Sequence, residues 1–421
     1  MIYALIALVA LAGAPLFAVL GSLAIYTYRQ HGLDLSLIAH ELGRLTQIPL
    51  LQTLPMFTLT GFLYARSNAA QRLVRLSQAL LGWMPGGLAI VSLAACSLLT
   101  AFTGATGVTI IVLGGLLLPA LRSQRYGEHF ALGLVTAGGS LGLLFLPSLP
   151  LILYGVIASA AVPGFRIESL FRAAVLPGLL MIVVLAAYGA WESRRRHIPR
   201  QPFSRRELGQ ALWAARWEVP LPFIVLGGIY TGILVVSDAA VIAAAYTLLS
   251  EVVLYREIPL RDLPGIVKES LIPVGAILLI LGMGMALTNM LVDQEVPRAL
   301  FEMVRRHIVS RHVFLMALNV FLLVVGSIMH IYTAIIVVVP LVLPVALQYG
   351  IDPVHLGVIV LMNLAIGFCM PPVGLDLFVA SLRFGVPLQT VWRAVLPFVL
   401  ILLVALAVIT YAPQLSLFPV K

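Results

Sequence analysis

Charge is scarce in this chain. Of its 421 residues only 10% are Asp, Glu, Lys or Arg while 61% are hydrophobic, and the mean hydropathy is +1.07; a soluble domain carries about 25% charged residues. Apolar runs approach or exceed the roughly 20 residues that cross a bilayer, among them Ile2 to Ala24, Val175 to Trp191, Pro220 to Val236 and Ala394 to Tyr411, and they leave no room for a soluble domain. Cysteine is almost absent. Cys96 and Cys369 both lie in apolar surroundings with no CxxC or Cys/His cluster, which excludes a disulfide framework and a thiolate metal site and leaves them as small buried hydrophobes. No HExxH is present, so zinc peptidase chemistry has no ligands; for an intramembrane hydrolase, Ser327 with His330 is the nearest approach to a nucleophile and base. No Lys or Arg precedes Arg29, so the first run lacks the basic start of a signal peptide and reads as a retained helix.

The net charge is +9, but its placement argues against nucleic acid as a partner. Arg194, Arg195, Arg196, Arg200, Arg205 and Arg206 crowd one hydrophilic loop, "ESRRRHIPRQPFSRRELGQ". Such a run beside a span marks a cytoplasmic loop touching anionic lipid heads. With that loop inside, Arg66, Arg72, Arg75 and most other basic residues fall on the same side. Arg29, Arg44, Arg166, Arg172, Arg298, Arg305, Arg306, Arg311 and Lys421 are left outside. The outer stretch 296 to 311 reads as an amphipathic interface helix, with docking of a periplasmic protein as the other reading.

Three stretches repeat in the same order, the last being "FRAAVLPGLL" (171 to 180) against "VWRAVLPFVL" (391 to 400). "VTIIVLGGLLLPAL" (108 to 121) aligns without gaps on "TAIIVVVPLVLPVA" (333 to 346), and 129 to 158 aligns on 354 to 383 with Pro147 opposite Pro371. The expected architecture is an all-α, polytopic membrane protein of two inverted repeats, each holding a re-entrant helical hairpin and a proline-broken helix. The first repeat covers 1–191 (hairpin about 83–121, broken helix about 129–160). An Arg-rich loop and a linker span over 219 to 236 fill 192–237. The second repeat covers 238–421 (hairpin about 312–350, broken helix about 353–383). Asp238 in "VSDAA" is expected to cap a helix.

Irregular backbone at membrane depth survives only where protein or a wet cavity covers it. Prolines at 147 and at 371 to 372 stop one half-helix and can open the next. Half-helix N-termini suit an anionic group, and unwound carbonyls suit a cation. Candidate cation or substrate residues are therefore Thr103, Gly104, Thr106, Gly107, Ser140, Pro147 and Ser148 in the first repeat. In the second they are Ser327, His330, Thr333, Asn363, Pro371, Pro372, Gly374 and Asp376. At the hairpin tips close packing of small residues is the competing reading. Asp376 and His330 either pair across facing elements, adjusting cation binding and letting a proton replace one cation, or act apart. In the second case Asp376 completes a helix N-terminus and His330 bonds to backbone.

The segments "AFTGATGVTIIVLGGLLLPAL", "GLVTAGGSLGLLFLPSLPLILYGV", "GGIYTGI", "YREIPLRDLP", "AIIVVVPLVLPVALQYGIDPVHLGVI" and "PPVGLDLFVAS" closely resemble motifs of the large membrane subunit of tripartite ATP-independent periplasmic (TRAP) transporters. The resemblance covers nearly the whole chain. It implies a bacterial inner-membrane, sodium-driven elevator importing an organic anion, commonly a carboxylate, without a cofactor. It also implies two partners, a small membrane subunit of about four helices and a soluble periplasmic substrate-binding protein. A stand-alone anion symporter would share the fold. The chain departs from the family pattern at His330 (usually Asp), Ala365 (usually Glu) and Asp376 (usually Asn).

Overall fold

The computed structural model describes residues 6, 8–9, 13–198, 202–371 and 373–418; of the residues singled out above, Ile2, Arg200, Pro372 and Lys421 lie outside that set. The described residues form helices and no strands, which keeps backbone donors and acceptors paired within each segment, as a lipid environment demands. Among the described residues, eight helical segments are long and apolar enough to cross a membrane, the broken stretch Glu128–Ala161 counted as one.

Helix α1 is Leu16–Gln30 and begins directly after Pro15. Gly13, at φ 91°, turns the chain just before it, so the apolar run from Ile2 to Ala24 is interrupted at 13 to 15. After the short amphipathic α2 (Ser36–Leu45) come α3 (Thr53–Arg66) and α4 (Ala69–Leu81). On α4, Ala69, Ala70, Leu73 and Leu76 recur at helical spacing and are buried. The other face carries Arg72, whose guanidinium meets Glu218, Glu251 and Glu257 at once and stacks 3.9 Å from the Tyr255 ring centroid. Arg75 adds an ion pair to Glu207 at 2.7 Å.

The first hairpin is α5 (Gly87–Thr103) and α6 (Thr106–Ser123). Gly104 ends α5 at φ 62°, a left-handed turn that glycine adopts without penalty. Next comes the first broken helix, α7 (Glu128–Gly138) and α8 (Leu149–Ala161), with a 3-10 turn at Leu141–Leu144 and a cis Leu146–Pro147 bond between them. Helix α9 (Ile167–Arg195) follows.

Helices α10 (Arg205–Ala214), α11 (Pro220–Tyr230), α12 (Val236–Leu248, continued by a π-helical turn to Leu254) and α13 (Leu263–Asp293) lead into the second set. Helix α11 has only 11 residues; at 1.5 Å per residue it covers about half the hydrocarbon thickness. The crossing expected over 219 to 236 is thus shortened, because the Thr231 hydroxyl bonds back to Gly227 and Gly228 and Gly232 turns the chain at φ 76°. Asp238 sits inside the first turn of α12 and not at its N-cap, which is Val235; an acid there still complements the helix dipole.

After α14 (Val296–His307), the second set repeats the order of the first. A hairpin of α15 (Arg311–Ile328) and α16 (Ile331–Gln348) precedes a broken helix, α17 (Pro353–Gly367) and α18 (Leu375–Phe384). Helix α19 (Leu388–Tyr411) and the short α20 (Gln414–Leu417) close the chain. The two sets interlock: α6 packs on α18 and α16 on α8, while α7 packs on α19 and α17 on α9. Hairpin and broken helix meet backbone to backbone where a Cβ on Gly367 would lie 2.7 Å from the Gly326 carbonyl carbon. Helix α14 is amphipathic, with Pro297 and Phe301 buried and Arg298 beside Glu295 (3.4 Å) and Glu302 (3.6 Å).

Candidate functional site

Both hairpin tips open onto one cavity of about 440 Å³. Residues 103 to 108 of the first tip and 330 to 333 of the second line it, with Leu149 and Leu375, the first residues of α8 and α18. Phe368, Thr58 and Phe62 of α3, and Pro273, Ala276, Ile277 and Ile280 of α13 complete the wall. Four helices therefore present their N-termini here: α6, α8, α16 and α18. Each carries the equivalent of roughly half a positive charge. The first intrahelical bonds of α6 and α16 begin at Thr109 and Ala334, so the backbone N–H groups of 106 to 108 and 331 to 333 precede the ladder and face the end of the helix. Such an arrangement attracts an anion.

The tips are tied together. Tyr332 donates its hydroxyl hydrogen to the Gly104 carbonyl at 2.8 Å. Thr106 donates to Asp376 Oδ1 at 2.5 Å, joining the first hairpin to the second broken helix. Asp376 is fully buried in the first turn of α18, and Cys369 Sγ lies 3.9 Å from its Oδ2. His330 makes no bond to Asp376 among the described residues; its ring packs against Tyr332 and Phe368, with centroids 5.0 and 5.8 Å away. The proposed His330–Asp376 pair is therefore not formed, because Thr106 takes the carboxyl while the imidazole turns into the cavity. Among the described residues the His330 imidazole makes no hydrogen bond to backbone either. Asp376 does stand at the helix N-terminus.

Of the other candidates, Thr103, Gly104, Gly107 and Thr333 line the cavity with Thr106 and His330. Ser327, Ser140 and Ser148 direct their hydroxyls to backbone carbonyls, those of Val324, Ala137 and Leu143. Ser140 also approaches Cys369 Sγ at 3.8 Å, so the two breaks touch. Pro147 lies in the cis bond of the first break, and Pro371 in the second, outside the cavity wall. The Gly374 N–H donates to the Ser327 carbonyl at 2.8 Å, holding the second break against its own hairpin tip. Asn363 is buried away from the cavity, where it donates to Asn319 Oδ1 at 2.7 Å. Phe368, Phe62 and Ile277 were not singled out from the sequence, where an apolar wall residue looks like any core residue.

The model of the DctM component of tripartite ATP-independent periplasmic transporters matches residues 1–415. The chain belongs to the DctM family. This DctM chain is 34% identical over 87% of its length to the C4-dicarboxylate TRAP transporter large permease DctM of Pseudomonas aeruginosa, 85% of which is covered. It is 30% identical to the ectoine TRAP large permease TeaC of Halomonas elongata, over 86% of this chain and 84% of that one. Against the isethionate TRAP permease DctMQ of Oleidesulfovibrio alaskensis it is 33% identical, but spans only 58% of that protein's length. Its fold is similar to the crystal structure of the Alcanivorax borkumensis YdaH transporter, with TM-score 0.61 at 12% identity and 88% of each chain covered. As a DctM component it is a transport permease, a multi-pass protein of the bacterial inner membrane.

Proposed function

We propose that this DctM chain is the large permease of a cation-coupled importer of an organic anion, and that the anion sits in the cavity between the hairpin tips. The convergence of four helix N-termini on that cavity carries the reading. Relatives named for C4-dicarboxylate, isethionate and ectoine transport support organic acids as the cargo class. The coupling ion is sodium. Its oxygen ligands are the buried Asp376 carboxyl and the Thr106 hydroxyl, a hard donor pair with no basic side chain bonded to it. The tripartite family name supports the two partners, a small membrane subunit and a periplasmic protein that captures the substrate.

The two sets act as inverted repeats in an elevator. The reciprocal packing of α6 on α18 and α16 on α8 supports a two-fold relation between them. The basic loop 194 to 206 lies in the cytoplasm against anionic lipid heads. Reconstitution with the small subunit and the binding protein tests the proposal. Uptake of the binding protein's ligand should require an inward sodium gradient and stop when the binding protein is omitted. Uptake without the binding protein would favour a stand-alone symporter, and uptake indifferent to any cation gradient would remove the coupling.

A further inference from the structure

The cavity's polar groups can be counted, and most are already committed. The Thr106 hydroxyl serves Asp376, that of Tyr332 serves Gly104, and that of Thr58 donates to the Leu54 carbonyl at 2.6 Å. Thr103 Oγ1 lies within 3.5 Å of both the carbonyl and the N–H of Ala105. What remains for a ligand is the Thr333 hydroxyl, the His330 imidazole and the N–H groups of 106 to 108 and 331 to 333. No Lys or Arg is among the lining residues. The apolar part of the wall is Phe62, Pro273, Ala276, Ile277, Ile280 and Phe368, which offer no polar side-chain atom.

Resting on the reading of this cavity as the anion site, we infer that the substrate is a monoanion: a single carboxylate on an apolar body of aryl or branched-alkyl type. One anionic group can take the helix N-termini. A second would meet the apolar wall, and an ionised group left in apolar surroundings without a partner is strongly disfavoured. The aromatic and aliphatic wall instead rewards burial of apolar surface. A volume of about 440 Å³ accommodates such a body, at the small end of the roughly 300–1,000 Å³ typical of ligand pockets.

The test is equilibrium titration of the permease, with its small subunit in nanodiscs at neutral pH, by phenylacetate, 4-methylpentanoate, succinate and isethionate. The two apolar monocarboxylates should bind at least about tenfold more tightly than succinate, and more tightly than the small polar isethionate. Succinate binding as well or better would overturn the inference while leaving the anion site standing. Binding of none of the four, or preference for the cation phenethylammonium, would overturn the anion reading itself. Ala276→Lys, at an exposed wall position, supplies the missing charge and should move the preference about tenfold towards succinate. A folded variant with an unchanged preference would count against the account.

Discussion

Replacing Thr106 by valine keeps the side chain's shape and removes one hydroxyl. That hydroxyl is the donor 2.5 Å from Asp376 Oδ1, and the nearest other donor to this carboxyl is the Cys369 thiol at 3.9 Å. Asp376 has no exposed surface, so water cannot replace the lost bond in the folded protein. Leaving a buried acceptor unsatisfied costs about 1–3 kcal/mol, more for a charged one. Thr106→Val should therefore lower unfolding free energy by that amount in denaturant titrations in mixed micelles. In an Asp376→Leu background, where no acceptor remains, the same change should cost under about 0.5 kcal/mol, giving a coupling of at least about 0.5 kcal/mol. Equal losses in both backgrounds would mean that Thr106 matters only by packing. No loss in either would mean the bond contributes nothing. If the pair also holds the coupling ion, Thr106→Val should raise the sodium concentration for half-maximal uptake.

Three further outcomes follow from the geometry. Arg72→Met leaves Glu218, Glu251 and Glu257 facing one another with no counter-charge; two of these side chains are 1% and 0% exposed, so the loss should be about 3–5 kcal/mol, read by chemical unfolding. Burial is the largest influence on Glu257 and pushes its carboxyl up, yet the Asn68 N–H at 2.7 Å and Arg72 together hold it below the ordinary 4.5. Its stabilisation is then complete above about pH 4.5 and is lost as pH falls through the lower folded value, so Glu257→Gln should flatten the acid limb of a stability profile. A Cβ at position 142 would stand 2.3 Å from the Ser97 carbonyl oxygen and 2.5 Å from Thr100 Cβ. Gly142→Ala should accordingly reduce the folded yield in membranes, whereas Gly265→Ala, with nothing within 4 Å, should not.

Much of this architecture was legible because membrane depth makes interruptions conspicuous. Gly104 and the Pro147 and Pro371 segments stand out in apolar runs, and the structure puts hairpin tips and helix breaks there. The order of hairpin, broken helix and long helix could likewise be read twice from aligned proline and glycine positions. What escaped was whatever depends on partners distant in sequence. Arg72 looked like one more basic residue at a membrane face; its three acids lie 146 to 185 positions away. His330 and Asp376 share a neighbourhood, but Thr106 is the nearer donor, and nothing in the local pattern ranks a hydroxyl 270 positions away above an imidazole. The turn at Gly13 to Pro15 was written in the sequence but masked by the hydrophobicity around it.

Side-directed thiol chemistry at the second hairpin tip tests the central claim, that the cavity draws anions, without knowledge of the substrate. Cys96 and Cys369 are both buried, so they give little background and the thiol of His330→Cys can be followed alone. Its rates with an anionic and a cationic methanethiosulfonate are compared as a ratio with the ratio for free cysteine. The account predicts that the site shifts this ratio towards the anionic reagent; a shift towards the cationic one, or no reaction with either from both sides of the membrane, would contradict it.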